Sequence, residues 1–571
     1  MVRKLMESRP FYLLIALIVA LGVSFVNYTK LNLFSDNPSF TTFYIDYEEK
    51  SRNKDLSKII EEESDPFVAK IFEDKEHLMV GTGLYNFSNL PIHLVNKIFH
   101  FKGIKLWFEN KLLLTALGIG SVLLVFLIAD LYFGHLVGLA SSIMMAFSPH
   151  VWITYNFCSD PSQPYNLFFS LLTIYFFLIY VERNKWYFIP LTGIIMGLNF
   201  LFFHVGSFLI PFIIFSFGAY NIIIKKRLYY IPALFVLTVC AVLSGAAMNH
   251  LHAYYFNLPF NPFLTYLKTY TSWGPTASHT VHGIVLLSFD RLTQNLKDHI
   301  FGVFVNGRTQ DWHYCSSPPS VPMIYNYLIT VFFVVGSYLQ IKKRIEKGLF
   351  FIFWFALFSL VYTAIVFVRQ KNIVAEIPPI LILSASAIPA VGAFLFKKFK
   401  KATEEMLVYS VFSILIVSSI AVGSFMIFYF LPSKNFYDGA AYMGTYKVYE
   451  YISKQGYTDK TKIIFTDKQI IVGNMMLRLF TARVPQIVNL TQEGVNYQMG
   501  ENKWREVEYT IKRGSDKIFY CFIYYNNQMG NIYITDEYYR EVFRKIHPES
   551  IPYTILALNG EPLWRIYEIK E

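Results

Sequence analysis

Asp36 is the first acidic residue after a long apolar segment of this chain, in the stretch LNLFSDNPSF at residues 31–40. It stands outside any charge cluster and two residues before Pro38. A carboxylate held beside a membrane can accept the proton of an attacking hydroxyl as a general base. Asp before Asn-Pro is also common in turns and caps, and the local sequence alone favours that structural role.

A basic pair, Arg369 and Lys371, stands in the polar stretch RQKNIVAE at residues 369–376, directly before an apolar block. Arg can stabilise a departing phosphate through two parallel hydrogen bonds, and Lys can do so as a point charge. Both could instead anchor a helix end at the membrane surface, because long basic side chains snorkel. We favour the phosphate role, since the other basic clusters fall on the opposite side of the predicted membrane.

Histidines form two close pairs, in NHLHAYY (249–255) and ASHTVHG (277–283), whose spacing could suit metal ligands. No neighbouring Cys or acid completes either set. We therefore assign no metal site and no certain cofactor, and a divalent cation stays an alternative. His93 and His204 could line a substrate cavity, without a catalytic role.

The composition is that of a membrane protein. Of 571 residues, 54% are hydrophobic and 16% charged, whereas soluble domains carry about 25% charged residues. Apolar stretches recur at about the 20 residues needed to cross a bilayer. The net charge of +11 comes from basic clusters beside these apolar blocks, so we exclude nucleic acid as a partner.

About eleven transmembrane helices are predicted, with the N-terminus in the cytoplasm. They cover residues 11–28, 111–130, 135–153, 164–182, 187–203, 206–223, 229–248, 323–341, 349–368, 376–396 and 406–431. This orientation places the other basic clusters inside, as membrane topology favours. It makes the chain a multi-pass protein of the cell membrane, with residues 29–110, 249–322 and 432–571 outside, and with helices of the first outer loop lying on the bilayer surface.

The tail after residue 431 is polar and predicts a small extracytoplasmic α/β domain, residues 432–571. Five stretches read as strands: TKIIFTD (461–467), VPQIVNL (484–490), DKIFYCFIYY (516–525), YTILALN (553–559) and LWRIYEI (563–569). DEYYREVFRKI (536–546) reads as a helix, with acids at its start and bases near its end. At about 140 residues this tail is long enough to bury a core of its own.

Several elements occur in a recognisable order along residues 10–430. They are NLPIHLVNKIF (89–99), the apolar block at 112–134, two spans around a short outer loop with Asp160 (136–186), and RQKNIVAEIPPILILSASA (369–387). In this order they resemble the GT-C superfamily of membrane glycosyltransferases. The resemblance is to the branch that uses polyprenyl-phosphate-linked sugars, which includes protein O-mannosyltransferases and aminoarabinose transferases.

The resemblance implies a role for each candidate residue. An acid just after the first span is the catalytic base in this superfamily, and Asp36 matches it by position. The usual pattern is Asp-Glu, whereas this chain has Asp-Asn, so Asp46 in YIDYEE remains an alternative base. Asp160 would face the cavity, and Arg369 with Lys371 would bind the donor phosphate.

The implied reaction moves a sugar, mannose or another hexose, from a polyprenyl-phosphate donor to a hydroxyl of a protein, lipid or glycan acceptor, with inversion. The tryptophan-tryptophan-aspartate motif of oligosaccharyltransferases is absent, so transfer of a whole oligosaccharide is set aside. Two alternatives stay open. One is a lipid or glycan transporter, although the centres of the spans are almost free of charge; the other is a cell-envelope glycan polymerase.

Overall fold

The computed structural model describes the helical core and most of the tail domain. The described residues are 8–25, 98, 104–156, 162–201, 205–255, 289–305, 322–343, 346–364, 374–399, 403–430, 443–458, 460–465, 486–489, 501–513, 515–523, 534–556, 560 and 562–570. The structural statements below refer to these residues.

Fourteen helices form the described part of the predicted membrane domain. They are α1 (Arg9–Phe25), α2 (Ile104–Phe133), α3 (His135–Ala146), α4 (Pro149–Asn156), α5 (Ser162–Arg183), α6 (Phe188–Phe200), α7 (Val205–Ile223), α8 (Tyr230–Tyr255), α9 (Phe289–Phe304), α10 (Tyr327–Lys342), α11 (Glu346–Ala364), α12 (Ile377–Ser386), α13 (Ile388–Lys398) and α14 (Glu404–Phe425). A π-helical turn, Met426–Phe430, extends α14. The predicted polytopic helical fold is thus confirmed, and each predicted span coincides with a helix or a pair of helices.

Within the described residues, five helical segments are long and apolar enough to cross a bilayer: Leu112–Phe133, Gln163–Arg183, Tyr230–Leu251, Val374–Lys398 and Glu404–Phe430. The bent pair α3 and α4 makes a sixth if it is one span. Shorter apolar helices are Arg9–Phe25, Phe188–Phe200, Leu209–Ile223 and Tyr327–Lys342. The total of about eleven crossings stays a prediction.

The span predicted as continuous over 135–153 is wrong in one respect, because it is two helices that meet at an angle of 61°. The break falls at Phe147 and Ser148, directly before Pro149. Proline has no backbone N–H to donate to the carbonyl oxygen one turn earlier, and it disfavours the helical conformation in the residue before it. Proline at the first position of α4 therefore ends one helix and starts the next.

Two glycines of α6 allow it to approach α8 closely. A Cβ on Gly193 would lie 2.4 Å from the Leu237 carbonyl oxygen, and one on Gly197 would lie 2.2 Å from that of Ala241. The spacing Gly-x-x-x-Gly puts both on the same helix face, which is a common contact surface between helices in membranes. Any larger side chain at either position would push the two helices apart.

Ion pairs mark one end of the helix bundle, which we call the basic end. Arg9 at the start of α1 binds Asp130 near the end of α2, with Nε 2.8 Å from Oδ2. Lys347 at the start of α11 binds Glu182 at the end of α5 at 2.9 Å. Because the predicted spans alternate in direction, the start of one helix lies beside the end of another, and these ion pairs join such ends. That the basic end faces the cytoplasm stays a prediction.

The described residues of the tail form three helices and one five-stranded sheet. The helices are α15 (Met443–Gln455), α16 (Glu501–Lys512) and α17 (Ile534–Ile546), and the strands are β1 (Lys462–Phe465), β2 (Gln486–Asn489), β3 (Lys517–Ile523), β4 (Tyr553–Leu556) and β5 (Pro562–Lys570). All five predicted strands and the predicted helix are confirmed. Residues 431–442 lie outside the described residues, so the domain boundary at 431 stays a prediction.

The strand order is β2-β1-β3-β5-β4. β1 runs parallel to β2 and β3, whereas β5 runs antiparallel to β3 and β4. Tyr520 and Phe522 on one face of β3 pack against Trp504 of α16 and Phe543 of α17. Cys521 on the other face of β3 is also fully buried. Both faces of the central strand are covered, which is why its sequence reads as a continuous apolar run.

A buried carboxylate, Glu508, joins α16 to the sheet and to α17. Its Oε1 accepts hydrogen bonds from the Tyr520 hydroxyl at 3.0 Å and from the His547 ring at 2.6 Å, and Lys512 lies 3.2 Å away. Burial alone would raise the pKa of Glu508, but the hydrogen bond and charge of His547, the charge of Lys512 and the bond from Tyr520 lower it overall. The ionised form is therefore the one that the folded domain stabilises.

This lowered pKa makes the tail domain sensitive to acid. A carboxylate whose pKa is lower in the folded state stabilises the fold above its unfolded pKa of about 4.3, and the stabilisation is lost as the pH falls through the folded pKa. We expect Glu508→Gln to lower the stability of the domain at pH 7 by about 1.5 to 3 kcal/mol and to lose this difference toward pH 3. Calorimetric melting of the full-length protein between pH 7 and pH 3 measures both effects.

Glu541, which is exposed on α17, provides the matched control. Glu541→Gln should follow the wild-type curve throughout, because an exposed carboxylate contributes little. A constant gap between Glu508→Gln and wild type at all pH values would show that the ionisation of Glu508 is irrelevant to the fold.

Candidate active site

The predicted site residues lie outside the described part of the chain. This applies to Asp36, Asp46, Arg369, Lys371, Asp160, His93 and His204. Their roles stay predictions. The structure does show the helix ends from which their segments emerge, and these ends lie opposite the basic end. We call this second region the polar end.

The described helices that precede Asp36 and Asp160 in the sequence are joined near their ends. The indole N–H of Trp152 donates a hydrogen bond to the carbonyl oxygen of Val23, at 3.2 Å. Val23 belongs to the last turn of α1, and Trp152 lies in α4 only a few residues before the Asp160 loop. Because the Trp152 side chain is buried, this bond fixes the end of α1 against α4.

A group of amides and hydroxyls lies between the polar ends of α5 and α6. The Asn166 side-chain amide donates to Asn199 Oδ1 at 2.9 Å, and the Asn199 amide donates to Ser170 Oγ at 3.0 Å. All three side chains are buried. Buried polar groups of this kind must satisfy one another, so the group sets the spacing between α5 and α6. The segments with Asp160 and His204 flank it in the sequence.

The most unusual feature of the polar end is a buried carboxylate, Glu376, directly before α12. His299 of α9 lies with Nε2 3.1 Å from Oε2 and 3.2 Å from Oε1 of Glu376. The Ser359 hydroxyl of α11 donates to the same Oε1. Glu376 and His299 expose 0% and 1% of their side chains. We call these three residues the Glu376 cluster.

The Glu376 cluster joins three elements that are distant in the sequence. α9 is amphipathic, and its buried side carries His299 and Val303. Phe304 at its end stacks on Phe333 of α10 with ring centroids 5.4 Å apart. The cluster therefore holds α9 against α11 and against the start of α12. Because Glu376 also ends the stretch that contains Arg369 and Lys371 in the sequence, it fixes the position of the residue from which α12 begins.

Burial determines what Glu376 can do chemically. A carboxylate that is sealed from solvent cannot contact a substrate in this arrangement, so Glu376 is a positioning residue rather than a base. In a medium of low polarity its interaction with His299 is strong, and the loss of either partner is costly.

The sequence analysis missed Glu376, although it named the loop that Glu376 ends. The available signal was an acid directly before the Ile-Pro-Pro start of an apolar block, a place where a charge needs a partner. His299 was one of many histidines outside the membrane spans. Its partner is 77 residues away, which no local pattern reveals. Within the described ranges, no three His, Cys, Asp or Glu side chains meet to hold a metal ion.

Comparison with known proteins gives one family match. Residues 89–244 match the family described as dolichyl-phosphate-mannose-protein mannosyltransferase. The match confirms the predicted resemblance for this segment and agrees with the predicted enzyme class, a membrane glycosyltransferase. No curated protein sequence is significantly similar to the chain.

Solved structures of similar shape include the following two. ArnT from Cupriavidus metallidurans bound to undecaprenyl phosphate has 11% identity and a TM-score of 0.49, over 97% of this chain and 97% of that chain. The Archaeoglobus fulgidus oligosaccharyltransferase in the apo form has 12% identity and a TM-score of 0.48, over 90% of this chain and 69% of that chain.

Proposed function

We propose that this protein is a membrane glycosyltransferase that works at the extracytoplasmic face. It transfers a sugar, mannose or another hexose, from a polyprenyl-phosphate donor to a hydroxyl of a protein, lipid or glycan. Asp36, or Asp46 in its place, accepts the hydroxyl proton as the acceptor oxygen attacks the anomeric carbon. The bond from that carbon to the phosphate oxygen breaks, and Arg369 with Lys371 stabilises the phosphate that leaves. One displacement inverts the anomeric centre.

The observation that carries this proposal is the family match over residues 89–244. The matched segment reaches from before α2 into α8, so it includes the Asp160 loop and the buried group of Asn166, Asn199 and Ser170. Asn166, Asn199 and Ser170 lie at the polar end, next to which the proposed reaction takes place.

The packing of the polar end supports the same proposal. A reaction on a lipid-linked sugar needs a base and a phosphate site at the same boundary of the membrane. The bond between Trp152 and Val23 holds together the origins of the segments with Asp36 and Asp160. The Glu376 cluster fixes the end of the segment with Arg369 and Lys371.

The distribution of charge favours an enzyme over a transporter. Transporters place ionisable residues near the centre of the membrane, where the cargo binds. In the described membrane helices, the paired charges lie at helix ends, as Arg9, Asp130, Glu182, Lys347 and Glu376 show.

Transfer from a defined donor tests the proposal. We expect the purified protein to convert polyprenyl-phosphate mannose and a hydroxyl acceptor into polyprenyl phosphate and a mannoside of opposite anomeric configuration. Proton NMR of the product gives the configuration, and lipid chromatography gives the released polyprenyl phosphate. Retained configuration would contradict the single displacement. Movement of the intact donor across vesicle membranes without bond cleavage would identify a transporter instead.

A further inference from the structure

A cavity of about 370 Å³ lies at the basic end of the bundle, far along the helices from the polar end. Its walls come from α2, α5, α7 and α11 and from the turn between α7 and α8. Val181, Phe217 and Phe350 form the apolar part, and the polar part consists of Tyr132, Glu182, Arg227, Glu346 and Lys347. This volume is within the range of small-molecule sites, about 300 to 1,000 Å³.

The ion pairs around the cavity leave one cation in excess. Lys347 binds Glu182 at 2.9 Å, and Lys225 binds Glu346. In the part of the chain that the structure describes, no ion pair includes Arg227, whose Nη1 donates to the neutral Asn221 oxygen at 3.0 Å. Lys225 does not itself line the cavity, but it neutralises Glu346, so the lining together with this partner holds three cations against two acids. The excess of one positive charge matches the single negative charge of a phosphodiester.

The surroundings of the cavity are those of a lipid surface. Ile223, Ile224 and Leu228 next to Arg227 are exposed, as are the nearby aromatic residues Trp186 and Tyr229. Exposed Trp and Tyr beside basic residues are typical of the boundary between hydrocarbon and headgroups. The ligand would therefore approach from the bilayer, with its acyl chains along the apolar side.

We propose that this cavity binds the phosphodiester headgroup of a bilayer phospholipid, with Arg227 as its main phosphate contact. The guanidinium has donors beyond the one that binds Asn221, and Arg binds phosphate through two parallel bonds. Lys347, whose Nζ lies 4.9 Å from the centroid of the Tyr132 ring, also lines the cavity, but its charge is paired with Glu182. This inference is independent of the proposed sugar transfer.

Lipid titration of the full-length protein in detergent tests the proposal. Dioctanoyl phosphatidylglycerol should bind and raise the melting temperature, whereas dioctanoylglycerol, which has no phosphate, should not. Arg227→Gln should weaken phosphatidylglycerol binding by about tenfold or more, the effect of one lost bond to a charged group. Native mass spectrometry would count the lipid that remains bound to each variant.

Lys226 is the matched control, because it is exposed in the same turn and does not line the cavity. Lys226→Gln should bind phosphatidylglycerol as wild type does, and Arg227→Lys should fall between wild type and Arg227→Gln. Equal losses in Lys226→Gln and Arg227→Gln would overturn the site in favour of general surface charge. Binding of inorganic phosphate with the same effect would overturn the lipid as ligand.

Discussion

Asp36→Asn should lower the turnover number for sugar transfer by about 10²- to 10⁴-fold, the usual contribution of a general base. Asparagine keeps the size of the side chain but cannot accept the proton of the attacking hydroxyl. The Michaelis constant for the polyprenyl-phosphate donor should change little, because the phosphate contacts assigned to Arg369 and Lys371 remain. Initial rates in membranes with equal amounts of each protein, over a range of donor concentrations, measure both constants.

Asp46→Asn is the comparison that decides between the two candidate bases. If Asp36 is the base, Asp46→Asn keeps most of the activity. The two variants should melt at the same temperature, so that a difference in activity does not reflect a difference in folding. If Asp46→Asn loses turnover while Asp36→Asn keeps it, the base is Asp46. Full activity in both variants would rule out both candidate bases.

Glu376→Ala should destabilise the membrane domain by about 1 to 3 kcal/mol for each buried donor that loses its acceptor. The substitution leaves His299 and the Ser359 hydroxyl without their acceptor in a region that excludes solvent. Glu376→Gln should lose less stability, because its amide oxygen can still accept the hydrogen bond from the Ser359 hydroxyl. Melting temperatures of the three proteins in detergent measure this order.

Glu182 provides a control of the same residue type in another interhelical ion pair. Its bond to Lys347 is partly exposed, with 25% and 42% of the two side chains accessible. Such a pair contributes about 0 to 1 kcal/mol, so Glu182→Ala should melt close to wild type. A double-mutant cycle of Glu376→Ala with His299→Ala then isolates the interaction between the two residues. Additive losses in that cycle would show that they do not act as a pair.

The position of Glu376 also predicts how its replacement would affect catalysis. Because the Glu376 side chain is buried, its replacement acts through the segment that it ends. We infer that any loss of activity in Glu376→Gln reflects weaker donor binding, because Arg369 and Lys371 are the groups assigned to the phosphate.

The sequence by itself determined most of the described elements of this protein, although α9, α15 and α16 were not among the predicted ones. Each span predicted from a block of apolar residues coincides with a described helix or pair of helices. The length needed to cross a bilayer and the lack of charge are local properties of the sequence. The same holds in the tail, where DKIFYCFIYY became the central strand β3 and DEYYREVFRKI became α17. Runs of β-branched and aromatic residues favour a strand, and acids at the start and bases at the end favour a helix. Both signals depend only on residues that are close together in the sequence.

Only the tertiary structure decided which side chains meet. The bond between Asn166 and Asn199 spans 33 residues, and the one between His299 and Glu376 spans 77. Periodicity reports which face of an element is apolar, but it does not report which distant face that element packs against. The 61° bend at Pro149 is intermediate: the proline is visible in the sequence, whereas the angle depends on the helices packed around it. The partners of buried polar groups are determined by packing, because each must satisfy its hydrogen bonds with whatever the fold brings near.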